Sequence, residues 1–328
     1  LREILACEDC TVKIVSIINY KGGVGKTSLT ANLAAQLAWT GKSVLLLDLD
    51  AQASLSFSFI KPDVWDKSFA ESKTIKSWFD SFEEGPPISL ASLVDEPAMV
   101  KASLKGRGKL DVIYSHLGLI NVDLDLATKL AGATIGQAKR NFLNVHRRLA
   151  EGISRDLSNC GYDVVLVDCP PNFNIVTKTA LIASDYLLVP ARPDYLSTLG
   201  IDYLMRSVGR LVKDYNDYAA VQEGAKTPLI APMVLGVVFT MIQEYRQQPI
   251  SAQRPFINQV RKLANVGVFK NYIKRNDTLF ANAAQYGVPV VLNGYNSGSH
   301  QSVVDGLEAV CREFEKAVGM HIGDDHDG

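Results

Sequence analysis

VKIVSIINYKGGVGKTS, residues 12–28, is the stretch on which the fold turns. Its first seven residues, Val12–Ile18, form a short apolar run of the kind found in buried strands. Lys21-Gly22-Gly23-Val24-Gly25-Lys26-Thr27-Ser28 follows. Beyond it Leu29, Leu33 and Leu37 recur every four residues, a helical period that Gly41 stops. Strand, glycine-rich loop and helix, in that order, are the context of a phosphate-cradling loop. Glycines let backbone N–H groups turn inward, and the helix N-terminus adds positive dipole character at the same point. In such a loop Gly22, Gly23, Val24, Gly25 and Ser28 line the phosphates. Lys26 reaches the β- and γ-phosphates, and Thr27 offers its hydroxyl to Mg²⁺. The competing reading is a glycine-rich turn without ligand, which the Lys-Thr pair and the flanking elements disfavour.

Working outward, short apolar runs alternate with amphipathic stretches. The runs are Ser43–Asp48, Leu110–Ser115, Asp163–Asp168, Asp185–Pro190 and Leu235–Thr240, with Pro289–Leu292 as a candidate seventh strand. Phe142, Val145, Leu149, Ile153 and Leu157 make a second helical stripe. This alternation predicts an α/β, doubly wound, mostly parallel sheet with helices on both faces. The expected organisation is a tail over 1–11, one domain over 12–320 and an acidic tail over 321–328. A helix-and-loop insertion around 54–108 holds Trp65, Trp78 and the pair Pro86–Pro87.

Of the 328 residues 47% are hydrophobic, enough for one large domain or two smaller ones, and the formal net charge is -1. Global charge therefore predicts no polyanion partner, and a nucleic-acid surface has to be a local patch. One such patch stands out. From Met241 to Arg275 the basic residues are Arg246, Arg254, Arg261, Lys262, Lys270, Lys274 and Arg275, and Glu244 is the only acid. Arg206, Arg210 and Lys213 supply a second basic helix face. Solvated faces without a partner are the competing reading. The five cysteines are odd in number and scattered, which argues against a disulfide framework and fits a reducing cytoplasm. Cys7 and Cys10 form a C-x-x-C with no further ligands in view, read as incidental. No apolar run reaches the ~20 residues of a membrane span, and no secretory signal is visible. The first residue is Leu1 rather than Met, so the native N-terminus is expected to be missing.

The second strand ends in Asp48-Leu49-Asp50-Ala51-Gln52. Strand alternation puts Asp48 and Asp50 on one side, beside the loop, where ligands sit in open α/β sheets. A carboxylate there can hold Mg²⁺-bound water or orient an attacking water. The competing role for Asp50 is a helix N-cap. Asp163-Val164-Val165-Leu166-Val167-Asp168 is a Walker B pattern, with Asp168 reaching the metal through water. Cys169 is expected to be a packing residue, since two prolines after it leave nothing to activate a thiolate.

A lysine at the loop entrance, Lys21, resembles the deviant Walker A motif of ParA-type partition ATPases and their MinD-type, nitrogenase iron protein and arsenite-pump relatives. That resemblance covers most of residues 12–318. It implies ATP and Mg²⁺ as cofactors, with Lys21, Lys26 and Asp50 as catalytic residues. Lys21 would cross a dimer interface to the partner's nucleotide, Asp50 would position water, and Asp48, Thr27 and Asp168 would serve the metal. It also implies that Thr240 and Met241, with Arg275 and Asn276, contact the nucleobase. Ala51 and Lys274 replace prolines usual in the family. The implied function is slow, partner-stimulated ATP hydrolysis by an ATP-dependent homodimer. That dimer would bind nonspecific DNA through Arg206, Arg210, Arg246, Arg254, Arg261, Lys262 and Lys270, answer to a ParB-like or cargo-adaptor protein, and work in the cytoplasm on the nucleoid. Three alternatives remain: a MinD-like ATPase at a membrane, a metabolic ATP-dependent ligase of the same fold, and an ATP-binding regulator that barely hydrolyses. Against the membrane reading, the stripe Val303, Val304, Leu307, Val310, Cys311, Phe314 and Val318 is backed by a net acidic face.

Overall fold

The computed structural model describes residues 12–82, 86–222, 227–263 and 266–320. Cys7, Cys10 and both expected tails lie outside the described residues. Six strands form the main sheet: β1 Lys13–Ile17, β2 Ser43–Asp48, β3 Lys109–Ile113, β4 Val164–Asp168, β5 Tyr186–Ala191 and β6 Met233–Phe239. They lie in the order β3-β2-β4-β1-β5-β6, and every pairing is parallel. A small antiparallel pair, β7 Glu244–Tyr245 and β8 Gln248–Pro249, follows β6.

The helices, in chain order, are α1 Lys26–Trp39, α2 Pro62–Ser68, α3 Ile75–Asp80, α4 Ala98–Leu104, α5 Leu119–Lys129 and α6 Ile135–His146. Then come α7 Arg148–Leu157, α8 Ile175–Ala183, α9 Tyr195–Ala220, α10 Arg254–Arg261, α11 Asp277–Tyr286 and α12 Gly298–Ala317. The sheet is apolar on both faces because alternate strand residues feed two cores. Leu45, Leu47, Val165 and Val167 pack with α3 and α5 to α10. Val44, Leu46, Val164 and Leu166 pack with α1, α2, α4, α11 and α12. The stripe on α12 is buried in this second core, with Phe314 fully enclosed, so its apolar face is already covered.

Two sequence expectations need correction. Pro289–Leu292 is not a strand: Val290–Leu292 is a 3₁₀ turn. Its backbone donors are spent off any ladder, with Leu292 N–H on the Pro289 carbonyl of the turn and Val291 N–H on Asn32 Oδ1 of α1. The stripe from Phe142 to Leu157 is carried by two helices, α6 and α7, that meet at Arg147. There the His146 ring Nδ1 sits 2.8 Å from the Phe142 carbonyl oxygen.

Segment 54–108 carries α2, α3 and α4 around irregular backbone. Trp78 is fully buried and packs edge-on against Phe79 and Phe82. Gly152 of α7 lies so close that a Cβ there would come within 2.5 Å of the indole. Trp78→Ala is therefore expected to cost about 3–5 kcal/mol of stability, read as a lowered urea midpoint at unchanged slope. An unchanged midpoint would mean that the indole does not bear on the core.

The topology sets the C-terminal ends of β1, β2 and β4 side by side. Asp48 and Asp168 are register partners on adjacent strands, and Ile17 at the end of β1 pairs with the same Asp168.

Candidate functional site

The loop after β1 is built on positive φ. Gly23 and Gly25 have φ of +68° and +77°, values that favour glycine, and Gly25 is the N-cap of α1. Two buried polar side chains brace the loop. Asn19 accepts from Lys21 N–H at 2.9 Å on Oδ1 and donates through Nδ2 to the Pro190 carbonyl at 2.8 Å. The Thr240 hydroxyl donates to the Val24 carbonyl at 2.7 Å. Lys26 is buried, and its ammonium donates to the Lys21 carbonyl at 3.2 Å. Burial pulls its pKa down, against the nearby charges of Asp168 and Asp50.

Asp168 accepts the hydroxyls of Thr27 at 2.8 Å and Thr30 at 3.0 Å. Asp48 is also fully buried. It takes Ser56 N–H and Oγ at 2.8 and 2.7 Å on one oxygen, and Asp50 N–H at 3.1 Å on the other. Burial pushes both carboxyls up from the usual range. Asp168's charge adds to the rise at Asp48, and Asp50's charge adds to that at Asp168. Carboxylates shifted this way favour a cation close by. A hydroxyl and a buried carboxylate 2.8 Å apart at the mouth of a phosphate loop are the hard oxygen donors Mg²⁺ selects, and this ion usually keeps several waters. The residues present therefore fit the metal, which Thr27 and Asp168 would hold. Asp48's bonds hold the turn that carries Asp50.

Asp50 lies just past β2 and is partly exposed. Its Oδ1 accepts Gln52 N–H at 2.9 Å, and its carbonyl accepts the Ser115 hydroxyl at 2.7 Å. Ala53 in the same turn has a φ of +51°, uncommon for a residue with a side chain. Cys169 is buried with its thiol pushed up to about 12 by burial, which suits packing rather than nucleophilic chemistry.

Beside the loop is a cavity of about 210 Å³ lined by residues that include Ser28, Thr240, Met241, Arg275, Asn276 and Phe280. Its far wall is an extended segment held to β6's exit by Ile242 N–H on the Ile273 carbonyl and Arg275 N–H on the Ile242 carbonyl, at 3.0 and 2.9 Å. Asn276 Oδ1 accepts Leu279 N–H at 3.0 Å, and Arg275 is bonded to Asp277. Lys274, where the family favours proline, pairs with Glu244 at 2.8 Å.

The basic residues divide. Arg246, Arg254, Arg261, Lys262 and Lys270 are all exposed. Arg254, Arg261 and Lys270 converge on one further cavity of about 210 Å³, with Phe239 and Tyr272 on its wall. On α9 the picture is mixed: Arg206 is paired with Asp202, and Lys213 with Asp217 at 2.8 Å. Arg210 is exposed between them.

Lys21 sits at the loop entrance with its ammonium 2.8 Å from both carboxylate oxygens of Asp194. Sequence reasoning missed Asp194, as it missed Asn19 and Ser56. An Asp before a long helical pattern is an N-cap signal, and Asp194 does accept Ser197 N–H at the start of α9. Nothing local marks Asn19 or Ser56.

The family model described as an AAA domain matches residues 12–221. The sporulation initiation inhibitor protein Soj of Bacillus subtilis is 31% identical over 282 residues, covering 85% of this chain and 90% of Soj. The chain belongs to the ParA/Soj family of partition ATPases. The chromosome partitioning protein ParA of Caulobacter vibrioides is 29% identical over 306 residues, 93% of this chain and 96% of its own. Among solved structures, a Cyanothece McdA(D38A)–ATP complex superposes with a TM-score of 0.66 at 18% identity, over 95% of this chain and 98% of that one. The shared fold places the ParA-type loop Lys21–Ser28 at the C-terminal edge of the sheet, where the carboxylates of β2 and β4 converge on it.

Proposed function

We propose that the protein is a nucleotide-switched dimer: two copies close on ATP, bind DNA without sequence preference, and reset when a partner protein stimulates slow hydrolysis. The observation that carries this is the setting of Lys21. It stands at the entrance of the phosphate loop, with its ammonium on Asp194 rather than on the Thr27–Asp168 pair. Asp194, which it pairs with, caps α9, whose first turns carry the exposed apolar side chains Tyr195, Leu196, Leu199 and Tyr203. Tyr20 stacks between Tyr203 and Phe173, at ring separations of 5.3 and 5.6 Å. A cation held at the start of a helix with exposed apolar side chains suits burial against a second copy of the same face.

Within each copy Lys26 neutralises phosphate charge, and Asp50, held by its turn to one side of Asp168, orients the attacking water. Thr27 and Asp168 would hold Mg²⁺, which would supply positive charge to offset that on the phosphoryl oxygens. In trans, Lys21 adds the charge that an arginine finger supplies elsewhere. The name of the McdA complex records bound ATP, which supports ATP as the nucleotide here. The nucleobase is assigned to the cavity between Thr240 and Phe280, with Arg275 and Asn276 shaping its wall through their bonds to α11.

DNA is assigned to the exposed cations Arg246, Arg254, Arg261, Lys262 and Lys270, since phosphate binding needs clustered positive charge. The α9 residues Arg206 and Arg210 contribute less, because Asp202 and Asp217 offset that face. The test is a salt titration of DNA binding with ATP. Combining Arg254→Ala, Arg261→Ala and Lys270→Ala should lower the slope of log K against log salt by about 2–3. An unchanged slope would assign DNA to another surface, and no ATP-dependent binding by the unaltered protein would end the DNA reading.

A further inference from the structure

We propose that Asp194 is a positioning residue that holds Lys21 in cis and thereby sets how much ATP is needed to close the dimer. The inference rests on the proposed trans role of Lys21 and deepens it. Both oxygens of Asp194 lie 2.8 Å from the Lys21 ammonium, a two-oxygen grip within one chain. One ammonium cannot make this grip and reach a partner's triphosphate together, so dimer closure exchanges one anion for another. The pair is 30% and 35% exposed at the two side chains, shielded enough to hold and open enough to release.

Two further features suit an exchange. Arg192 Nε stands 3.7 Å from Asp194 Oδ2, so the carboxylate keeps a cation when Lys21 departs. Asp194 is also the N-cap of α9, accepting Ser197 N–H at 2.9 Å, and the next turns carry the exposed Tyr195, Leu196, Leu199 and Tyr203. The carboxylate that holds the lysine is thus fixed to the helix offering the apolar face. Release of Lys21 and contact at that face occur on one rigid element.

The test separates charge from capping. Asparagine caps a helix as well as aspartate but cannot pair with an ammonium. In an Asp50→Ala background, where slow hydrolysis does not blur the equilibrium, Asp194→Asn should tighten the ATP dimer about three- to twentyfold. Half-exposed ion pairs have modest worth, and each dimer releases two of them. Thermal melting with ADP should fall slightly for Asp194→Asn, which loses the ion pair, and further for Asp194→Ala, which also loses the cap. With Lys21→Ala added, Asp194→Asn should no longer change melting of the ADP monomer, as a double-mutant cycle requires of partners. Equal dimer affinity with Asp or Asn at 194, when Lys21 is needed for dimerisation, would overturn the latch alone. Dimerisation unaffected by Lys21→Ala would overturn the trans reading beneath it.

Discussion

Asp50→Ala is expected to reduce ATP turnover by about 10²–10⁴-fold while the protein still binds ATP and accumulates as a dimer. The separation of effects follows from the geometry. The nucleotide contacts are assigned to Lys26, Thr27 and the loop N–H groups, whose fold depends on Asn19 and Thr240 rather than on Asp50. Asp50's side chain holds only its own turn, through Gln52 N–H at 2.9 Å. Asp50→Asn is the sharper variant, since the amide oxygen can still accept from Gln52 while the anion that orients water is gone. Size-exclusion chromatography with ATP and with ADP gives the reading. A dimer with ATP and a monomer with ADP is the expected pair of profiles. A monomer under both would count against the switch, and full turnover would move the water-positioning role elsewhere, with Asp48 disfavoured by its burial and its three internal bonds.

Lys21→Ala is expected to remove about three orders of magnitude from stimulated turnover, the scale on which a cation supplied in trans acts. It should leave ADP affinity near that of the unaltered protein, because Lys21 reaches away from its own Thr27–Asp168 pair and toward Asp194. Lys26→Ala provides the contrast. Its ammonium is buried within the loop, so its removal should abolish nucleotide binding itself, measured with a fluorescent ATP analogue. Lys21→Arg should not restore activity, since a planar fork is a poor substitute for a compact ammonium at a site shaped for one. Equal loss of ADP affinity in both variants would place Lys21 inside its own site and remove the reason for a dimer.

Much of the centre was readable along the chain. Glycine spacing, the strand before it and the leucine period after it are local, and they select φ values and a helix start within about one turn of each other. The Walker B run was readable for the same reason: a continuous apolar run must end at a sheet edge, and Asp168 does end β4 there. Pro289–Leu292 misled because a short apolar run has the composition of a strand and of a buried turn alike, and only its hydrogen-bond partners tell them apart.

The sequence by itself determined the phosphate loop, the parallel α/β class and the acidic and basic residue sets. The tertiary structure alone decided the pairings among them: Thr27 with Asp168 across 141 residues, Val24 with Thr240 across 216, and Lys21 with Asp194 across 173. These depend on β1 lying between β4 and β5, with β6 beyond, an order that no local pattern encodes. Backbone conformation is set by near neighbours. The partner of a buried or half-buried polar group is set by which strand ends the sheet brings to one edge, and that is a property of the whole chain.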